Sequence, residues 1–340
     1  MLYIDHGQGG PPSCLRLIQG PRPVPGPGEV LIEVAYAGVN RPDILQRLGR
    51  YPAPADASPV LGLEVSGRIA ARGPDTQSWP PGTPVTALVP GGGYAEYCVT
   101  PADQVLPIPE GMDLASAAAL PEVWFTVWAN LIDLGDLECN ERLLVHGGAG
   151  GIGLAALALG QLRGARCLAT VGSDDKAAFC RAWGAQTAIN RHTTDFVQAV
   201  FEATAGEGVD VVLDIVGMPY LERNLKVLRR DGRLIFLAFM GGSQGMTDLA
   251  PIMSKRLRLT GSTMRPRTVA EKRAIRDALL VHVWPALAHG RFHPHIHARF
   301  PLAEASAAHA LMEGGGHIGK IVLEVARPPV QSPTRDALHS

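Results

Sequence analysis

Three glycines between an apolar strand and a helix carry the clearest chemical signal in the sequence. Gly148, Gly150 and Gly153 fit the spacing G-x-G-x-x-G, after the apolar run 143–146 and before the helix-forming run 154–159. In that context the first glycine permits a tight turn, the second leaves room for a pyrophosphate, and the third lets the helix pack closely on the strand. Free N–H groups at the start of the helix would face the phosphates. The pattern therefore predicts a dinucleotide-binding site.

The end of the next strand bears on which dinucleotide binds. NAD-binding folds usually place an acidic residue there, but the predicted strand 167–171 ends in Gly172 and a serine. Asp174 and Asp175 follow, and they either reach the ribose or serve as ordinary first-turn residues of a helix. A hydroxyl and two cations that suit a 2′-phosphate lie nearby: Ser173, Lys176 and Arg191. The segment favours NADPH over NADH.

The glycines belong to an alternating pattern that begins near residue 142. The predicted strands are 143–146, 167–171, 209–215 and 233–238, and the predicted helices are 152–162, 175–183, 195–204 and 220–228. This alternation is typical of a parallel sheet covered by helices on both faces. Residues 1–120 instead show short strands with Gly/Pro-rich turns, which predict a small barrel-like domain. A long helix at 269–287 and a strand at 320–325 are expected to return the chain to that domain.

Composition limits the classes of partner. The 340 residues carry a net charge of −1, so there is no electrostatic case for binding nucleic acid or an anionic membrane. Five scattered cysteines without a C-x-x-C pair predict free thiols in a reducing compartment. The stretch 143–162 has no formal charge, but its glycines predict a buried strand–turn–helix rather than a membrane span. With no signal peptide evident, we expect a cytoplasmic protein.

Several segments in order along residues 1–326 carry a family resemblance: 37–43, 49–51, 59–67, 91–97, 144–153, 208–217 and 319–323. Together they resemble the zinc-independent quinone oxidoreductases of the medium-chain dehydrogenase/reductase superfamily, and the stretch 40–51 looks closest to the p53-inducible quinone oxidoreductase-like branch. The resemblance implies an α/β protein with a GroES-like β-barrel catalytic domain and a Rossmann domain with a doubly wound parallel sheet. The expected divisions are catalytic residues 1–122, nucleotide-binding residues 123–265, a return to the catalytic domain at 266–326, and a disordered tail at 327–340. A homodimer is also implied.

The related alcohol dehydrogenases bind a catalytic zinc, and this sequence departs from their ligands. By resemblance, their ligand cysteine corresponds to Asn40 and their ligand histidine to Leu63, neither of which is a credible zinc ligand. Four histidines at 289, 293, 295 and 297 resemble a metal cluster, but Pro294 and the turn context favour a solvated strand edge. We expect no metal requirement.

The resemblance also assigns residues to NADPH. Asn40 and Thr126 are expected near the nicotinamide. The pyrophosphate is expected at Ala149, Gly150, Gly151 and Ile152, and the 2′-phosphate at Ser173, Lys176 and Arg191. Gly172 is also expected to bind the cofactor. Segments expected to flank the nicotinamide half, or to lie near the cofactor, contain Phe239, Met240, Gly241, Met264, Arg265 and His317.

Without zinc to polarise a substrate, hydride from NADPH needs an acceptor that is already electron-poor, such as a quinone. Tyr51 is a candidate hydrogen-bond donor to the quinone oxygen, or it merely lines the pocket; Asn40 is the second candidate catalytic residue. Glu64 either anchors structure or acts as an acid. Three aromatic residues either pack in the core or line an acceptor site: Trp124, Phe125 and Trp128. The alternative functions are a 2-alkenal or enoyl-thioester reductase and a catalytically weak NADPH-binding protein.

Overall fold

The computed structural model describes residues 1–325. The first part of the chain forms most of a seven-stranded sheet, called the first sheet, and a separate antiparallel pair of strands; Gly/Pro-rich turns separate the strands. Its strands and helices are β1 (Leu2–Asp5), β2 (Arg16–Gln19), β3 (Glu29–Val39), α1 (Arg41–Arg47), β4 (Glu64–Arg72), β5 (Pro84–Leu88), β6 (Tyr97–Pro101), β7 (Val105–Pro107), α2 (Leu114–Ala117) and α3 (Pro121–Val127). A π-helical segment, Trp128–Leu134, continues α3. The long strand β3 is central, because it pairs with both β4 and β6 and most of its apolar side chains are buried.

The middle of the chain forms a six-stranded parallel sheet with helices between its strands. These elements are β8 (Arg142–His146), α4 (Gly151–Leu162), β9 (Arg166–Val171), α5 (Asp174–Ala182), β10 (Thr187–Asn190), α6 (Phe196–Ala203), β11 (Val209–Asp214), α7 (Met218–Val227), β12 (Leu228–Phe236), α8 (Ala250–Lys255) and β13 (Arg258–Gly261). The strand order β10-β9-β8-β11-β12-β13 is that of a doubly wound dinucleotide-binding sheet. The predicted fold class is confirmed.

The last described elements return to the first sheet. They are α9 (Val269–His282), α10 (Trp284–Ala288), β14 (Ile296–Pro301), α11 (Ala305–Gly314) and β15 (Lys320–Glu324). Strand β15 pairs antiparallel with β3, and Ile321 lies opposite Val39. This pairing brings Lys320, at the start of β15, beside the residue that follows β3.

The structure corrects three details of the predicted elements. The helix expected at 269–287 is two helices that meet at Val283 (φ −115°, ψ −46°), because Pro285 has no N–H to continue the hydrogen-bond ladder. Strands β10 and β13 were not predicted, since each has four residues and neither forms an apolar run. The predicted disordered tail lies outside the described residues.

The three aromatic side chains near the start of the parallel sheet pack in the core. Trp124, Phe125 and Trp128 are buried in one apolar cluster with residues of β8 and α4, which favours the packing role over an acceptor site. Within residues 1–325, no helix is both long enough and apolar enough to cross a membrane.

Candidate active site

The glycine loop after β8 is shaped to hold a ligand against the start of α4. A Cβ at Gly153 would collide with the backbone of Gly147 and Gly148, so the helix can approach the loop only with glycine there. A Cβ at Gly150 would have its nearest neighbour 3.6 Å away, which leaves the outer side of the loop open. No side chain caps the N-terminus of α4. Its free N–H groups therefore suit an anion such as a pyrophosphate, and Ala149 to Ile152 lie at this point.

The tip of β9 carries one available cation. The guanidinium of Arg191 lies beside Gly172, where an added Cβ would be 3.1 Å from Nη1. Arg191 is exposed, and within the described chain its side chain forms no ion pair or hydrogen bond. By contrast, Lys176 Nζ donates to the carbonyl oxygen of Gly315 at 2.6 Å. Burial and the neighbouring Arg191 lower the pKa of Lys176. Of the two predicted cations, Arg191 is the one free to meet a 2′-phosphate.

Asp174, the nearest carboxylate after β9, has a structural partner. Its Oδ1 accepts a hydrogen bond of 2.9 Å from Asn190 Nδ2. Ser173 caps α5, because its hydroxyl accepts from the backbone N–H of Lys176 at 3.3 Å. These contacts support the N-cap interpretation of the Ser-Asp-Asp segment over a ribose ligand.

A buried cluster of three polar side chains lies at the first sheet, where Lys320 passes beside Gly151 of the glycine loop. Lys320 Nζ donates to Glu64 Oε1 at 2.6 Å and to Asn40 Oδ1 at 2.5 Å. Asn40 Nδ2 donates in turn to Glu64 Oε1 at 2.9 Å. The exposed fractions of Asn40, Glu64 and Lys320 are 7%, 0% and 5%. Both the oxygen and the nitrogen of the Asn40 amide are thus hydrogen-bonded within the cluster, which fixes the orientation of this side chain.

Glu64 ties the cluster to α3. Its Oε2 accepts a hydrogen bond of 2.9 Å from the backbone N–H of Glu122. A Cβ at Gly38 would collide with the Glu64 carboxylate, so β3 can lie this close to the Glu64 side chain only with glycine at position 38. These contacts favour the structural role for Glu64 over that of an acid.

Asp43 holds the backbone of Asn40 through a buried hydrogen bond. Its two carboxylate oxygens accept from the backbone N–H groups of Asn40 (2.8 Å) and Gly62 (3.0 Å), and also from the Tyr94 hydroxyl (3.1 Å). Burial raises the pKa of Asp43 to about 6, against the opposing effect of these donors. The same Tyr94 hydroxyl lies 3.1 Å from His309 Nε2. The start of α1 is therefore fixed by a continuous buried network.

The region bounded by Asn40, Lys320, Tyr51 and Arg265 is called the cleft. Tyr51 and Arg265 contact each other at its edge. The Arg265 guanidinium lies 5.7 Å from the centre of the Tyr51 ring. It donates to Gln46 Oε1 at 2.7 Å and to the carbonyl oxygen of Pro90 at 2.9 Å. Burial raises the pKa of Tyr51, so its phenol remains a neutral donor. Arg265, predicted to flank the nicotinamide, thus points its side chain into the first domain.

The remaining predicted residues are spread around the cleft. Met264 is buried in the core. Phe239 and Met240, with Gly241 after them, follow β12 and are 50% and 58% exposed. His317 lies two residues before Gly319, whose N–H donates to the carbonyl oxygen of Ala149 at 2.8 Å. Burial, followed by the charge of Lys176, lowers the pKa of His317 to about 4.

Sequence reasoning assigned no role to Lys320 or Glu122. Lys320 belonged to a quoted segment, but its partners Asn40 and Glu64 lie in the first domain, far earlier in the chain. Glu122 carried a usable signal: it is a single carboxylate in an otherwise apolar helix, four residues before Thr126.

Comparisons with known proteins agree with this arrangement. Residues 26–110 match the family model of the alcohol dehydrogenase GroES-like domain, and residues 183–323 match that of the zinc-binding dehydrogenases. The chain belongs to the medium-chain dehydrogenase/reductase superfamily. Its GroES-like first domain and its parallel-sheet domain are those of that superfamily.

Solved structures of this superfamily match the chain over nearly its whole length. An NAD-dependent alcohol dehydrogenase has a TM-score of 0.86 at 29% identity, covering 96% of this chain and 100% of that one. Escherichia coli quinone oxidoreductase complexed with NADPH has a TM-score of 0.85 at 26% identity, with the same coverage. The CurK enoyl reductase has a TM-score of 0.84 at 29% identity, covering 96% and 99%.

A curated relative is much longer than this chain. A phenolphthiocerol/phthiocerol polyketide synthase of Mycobacterium tuberculosis is 31% identical over 349 residues, covering 98% of this chain but 16% of the relative. The chain thus spans about a sixth of that relative's length.

The zinc in the matched family description does not fit this medium-chain reductase. The ammonium of Lys320 is bonded to Glu64 and Asn40, and it would repel a divalent cation there. Asn40 and Leu63 do not supply thiolate or imidazole ligands. The four histidines do not converge either, since no group of three or more His, Cys, Asp or Glu in residues 1–325 is placed to hold a metal ion.

Proposed function

We propose that the protein is an NADPH-dependent, zinc-independent quinone oxidoreductase. The observation that carries this proposal is the Lys320 ammonium bonded to Glu64 and Asn40. With a lysine rather than an electrophilic metal at that point, the acceptor must delocalise the incoming charge itself. Quinones do so.

The glycine loop and Arg191 would hold NADPH, the loop through the pyrophosphate and Arg191 through the 2′-phosphate. NADPH supplies a hydride when it is bound. Asn40 and Thr126 would orient the nicotinamide, and Phe239 and Met240 would cover it. We propose that the protein acts in the cytoplasm as a homodimer.

Tyr51 would bind the acceptor oxygen. Its phenol is more than half buried, and its raised pKa keeps it protonated, so it can donate a hydrogen bond without changing charge. Arg265 beside the ring holds Tyr51 in place through packing and cation–π attraction.

An enoyl reductase is the second candidate. The similarity to CurK enoyl reductase and to a polyketide synthase over 98% of this chain favours it. In that reaction hydride goes to the carbon β to a carbonyl, and a proton goes to the α carbon.

The test is NADPH or NADH oxidation against three acceptors: a benzoquinone, an ortho-naphthoquinone and a 2-enoyl thioester. Turnover of a quinone with NADPH is expected. Turnover of the thioester alone would replace the proposed function by the second candidate. NADPH binding without turnover of any acceptor would indicate a non-catalytic protein.

A further inference from the structure

Glu122 is a buried carboxyl group that the proposed chemistry has not yet used. It is the second residue of α3, and its exposed fraction is 8%. Thr126, the residue expected beside the nicotinamide, lies one helical turn further along the same face. The residues between them, Val123 to Phe125, are buried in the core. Glu122 and Thr126 therefore share one face of α3.

The Glu122 carboxyl group has no partner within the described part of the chain. Its oxygen atoms form no hydrogen bond and no ion pair among residues 1–325. Only its backbone N–H is used, as the donor to Glu64. A buried ionised carboxylate without a partner is strongly disfavoured, so this group is most stable as the neutral acid.

The surroundings of Glu122 also favour its neutral acid form. The titratable groups facing it come from six elements and loops: Glu64, Asp43, Lys320, Lys272, Arg265 and Tyr51. Burial, followed by the charge of Glu64, raises the pKa of Glu122 to about 8, and the two lysines oppose the shift without cancelling it. The group thus holds a proton at neutral pH and can release it near that pH, as a general acid should.

Tyr51 is a second proton-bearing group near Glu122, and it is a weaker acid. Burial and the charge of Glu122 both raise the pKa of its phenol above the ordinary value of 10. Tyr51 can therefore donate a hydrogen bond but gives up its proton reluctantly. Tyr51 is thus suited to bind the acceptor oxygen, and Glu122 is suited to supply a proton to the acceptor.

We propose that Glu122 is the general acid that protonates the acceptor during its reduction. This proposal rests on the proposed function. Hydride from NADPH brings two electrons and one hydrogen to the quinone; the O–H bond of Glu122 breaks, and a new O–H bond forms on the quinone oxygen. The products are the hydroquinone, NADP⁺ and the Glu122 carboxylate, which regains its proton from solvent.

The test compares Glu122→Gln with wild type and with Glu110→Gln, a matched control at an exposed turn. Measured quantities are kcat between about pH 6 and pH 10, the solvent isotope effect, NADPH affinity and Tm. For Glu122→Gln we expect kcat to fall about 100-fold or more with NADPH affinity unchanged. We expect kcat of wild type to decline near pH 8, and we expect Glu122→Gln to lack this decline.

Unchanged kcat in Glu122→Gln, or an alkaline decline that persists in it, would overturn the role of Glu122 while leaving the proposed function intact. A wild-type protein inert towards quinone and enoyl acceptors would instead refute the proposed function. If Glu122→Gln fails to fold, infrared difference spectra of wild type serve instead. A carboxylic acid signal that titrates near pH 8 supports the proposal, and its absence in that range refutes it.

Discussion

Removing the Lys320 ammonium tests the buried cluster most directly. In Lys320→Met, Glu64 Oε1 loses a partner at 2.6 Å, and Asn40 Oδ1 loses one at 2.5 Å. Breaking a buried ion pair from one side destabilises proteins by about 3–5 kcal/mol. Glu64 keeps two N–H donors at 2.9 Å, from Asn40 and from the Glu122 backbone, so we expect the lower end of that range. At roughly 2 °C per kcal/mol for a chain of this size, Tm should fall by about 6 °C.

The double variant Lys320→Met/Glu64→Gln separates charge from packing. The glutamine side chain has nearly the shape of the Glu64 side chain without its charge, so the double variant should recover to within about 1 kcal/mol of wild type. Lys226→Met, on the exposed side of α7, is the matched control and should leave Tm unchanged. Scanning calorimetry and urea unfolding provide the measurements. A Lys320→Met protein as stable as the control, or a double variant no more stable than Lys320→Met, would refute the reasoning.

Three further predictions concern the cofactor, a buried histidine and assembly. Arg191→Ala should weaken NADPH binding about 10- to 100-fold and NADH binding much less, while Lys176→Ala should have a smaller effect; equal losses for both nucleotides in a fluorescence titration would contradict the 2′-phosphate assignment. The imidazole of His146, buried between Thr170 and Asn224, has its pKa lowered to about 4, so it should stay neutral above about pH 5 in NMR titrations. Its contribution to stability is present at neutral pH and is lost as pH falls towards 4, because the unfolded chain takes up that proton first. Light scattering should give twice the 36.0 kDa chain mass, and a monomer would exclude the homodimer.

The parts of this molecule that could be predicted from sequence are those encoded within one short stretch. The β8–loop–α4 unit is such a case, since its strand, glycines and helix are contiguous and each residue type has a local steric reason. The break at Val283 was missed because the apolar periodicity continues through it, while Pro285 stops the hydrogen-bond ladder.

The buried cluster could not be predicted in the same way. Asn40 follows β3, Glu64 begins β4 and Lys320 begins β15, and the pairing of β3 with both β4 and β15 brings the three together. The sequence showed that the zinc ligands are missing, but it did not show that the Lys320 ammonium is bonded to Glu64 and Asn40. Similarly, Lys176 was assigned to the cofactor from its residue type and position. Its hydrogen bond to the Gly315 carbonyl could not be predicted, because it depends on the contact of two segments far apart in the chain.

The two domains contact each other at two points, called crossings, and these contacts differ in how easily they can break. At one, Gly319 is bonded through its backbone to Ala149 in the glycine loop, and the Lys320 stem passes beside Gly151, with its ammonium held in the interior. At the other, a single side chain, Arg265, reaches Gln46 and Pro90. Rearranging the first would disturb the glycine loop, whereas releasing the second requires only the two side-chain hydrogen bonds of Arg265 to break. We therefore expect the first crossing to act as the hinge and Arg265 as the latch, so that the rate of latch opening limits how fast product leaves.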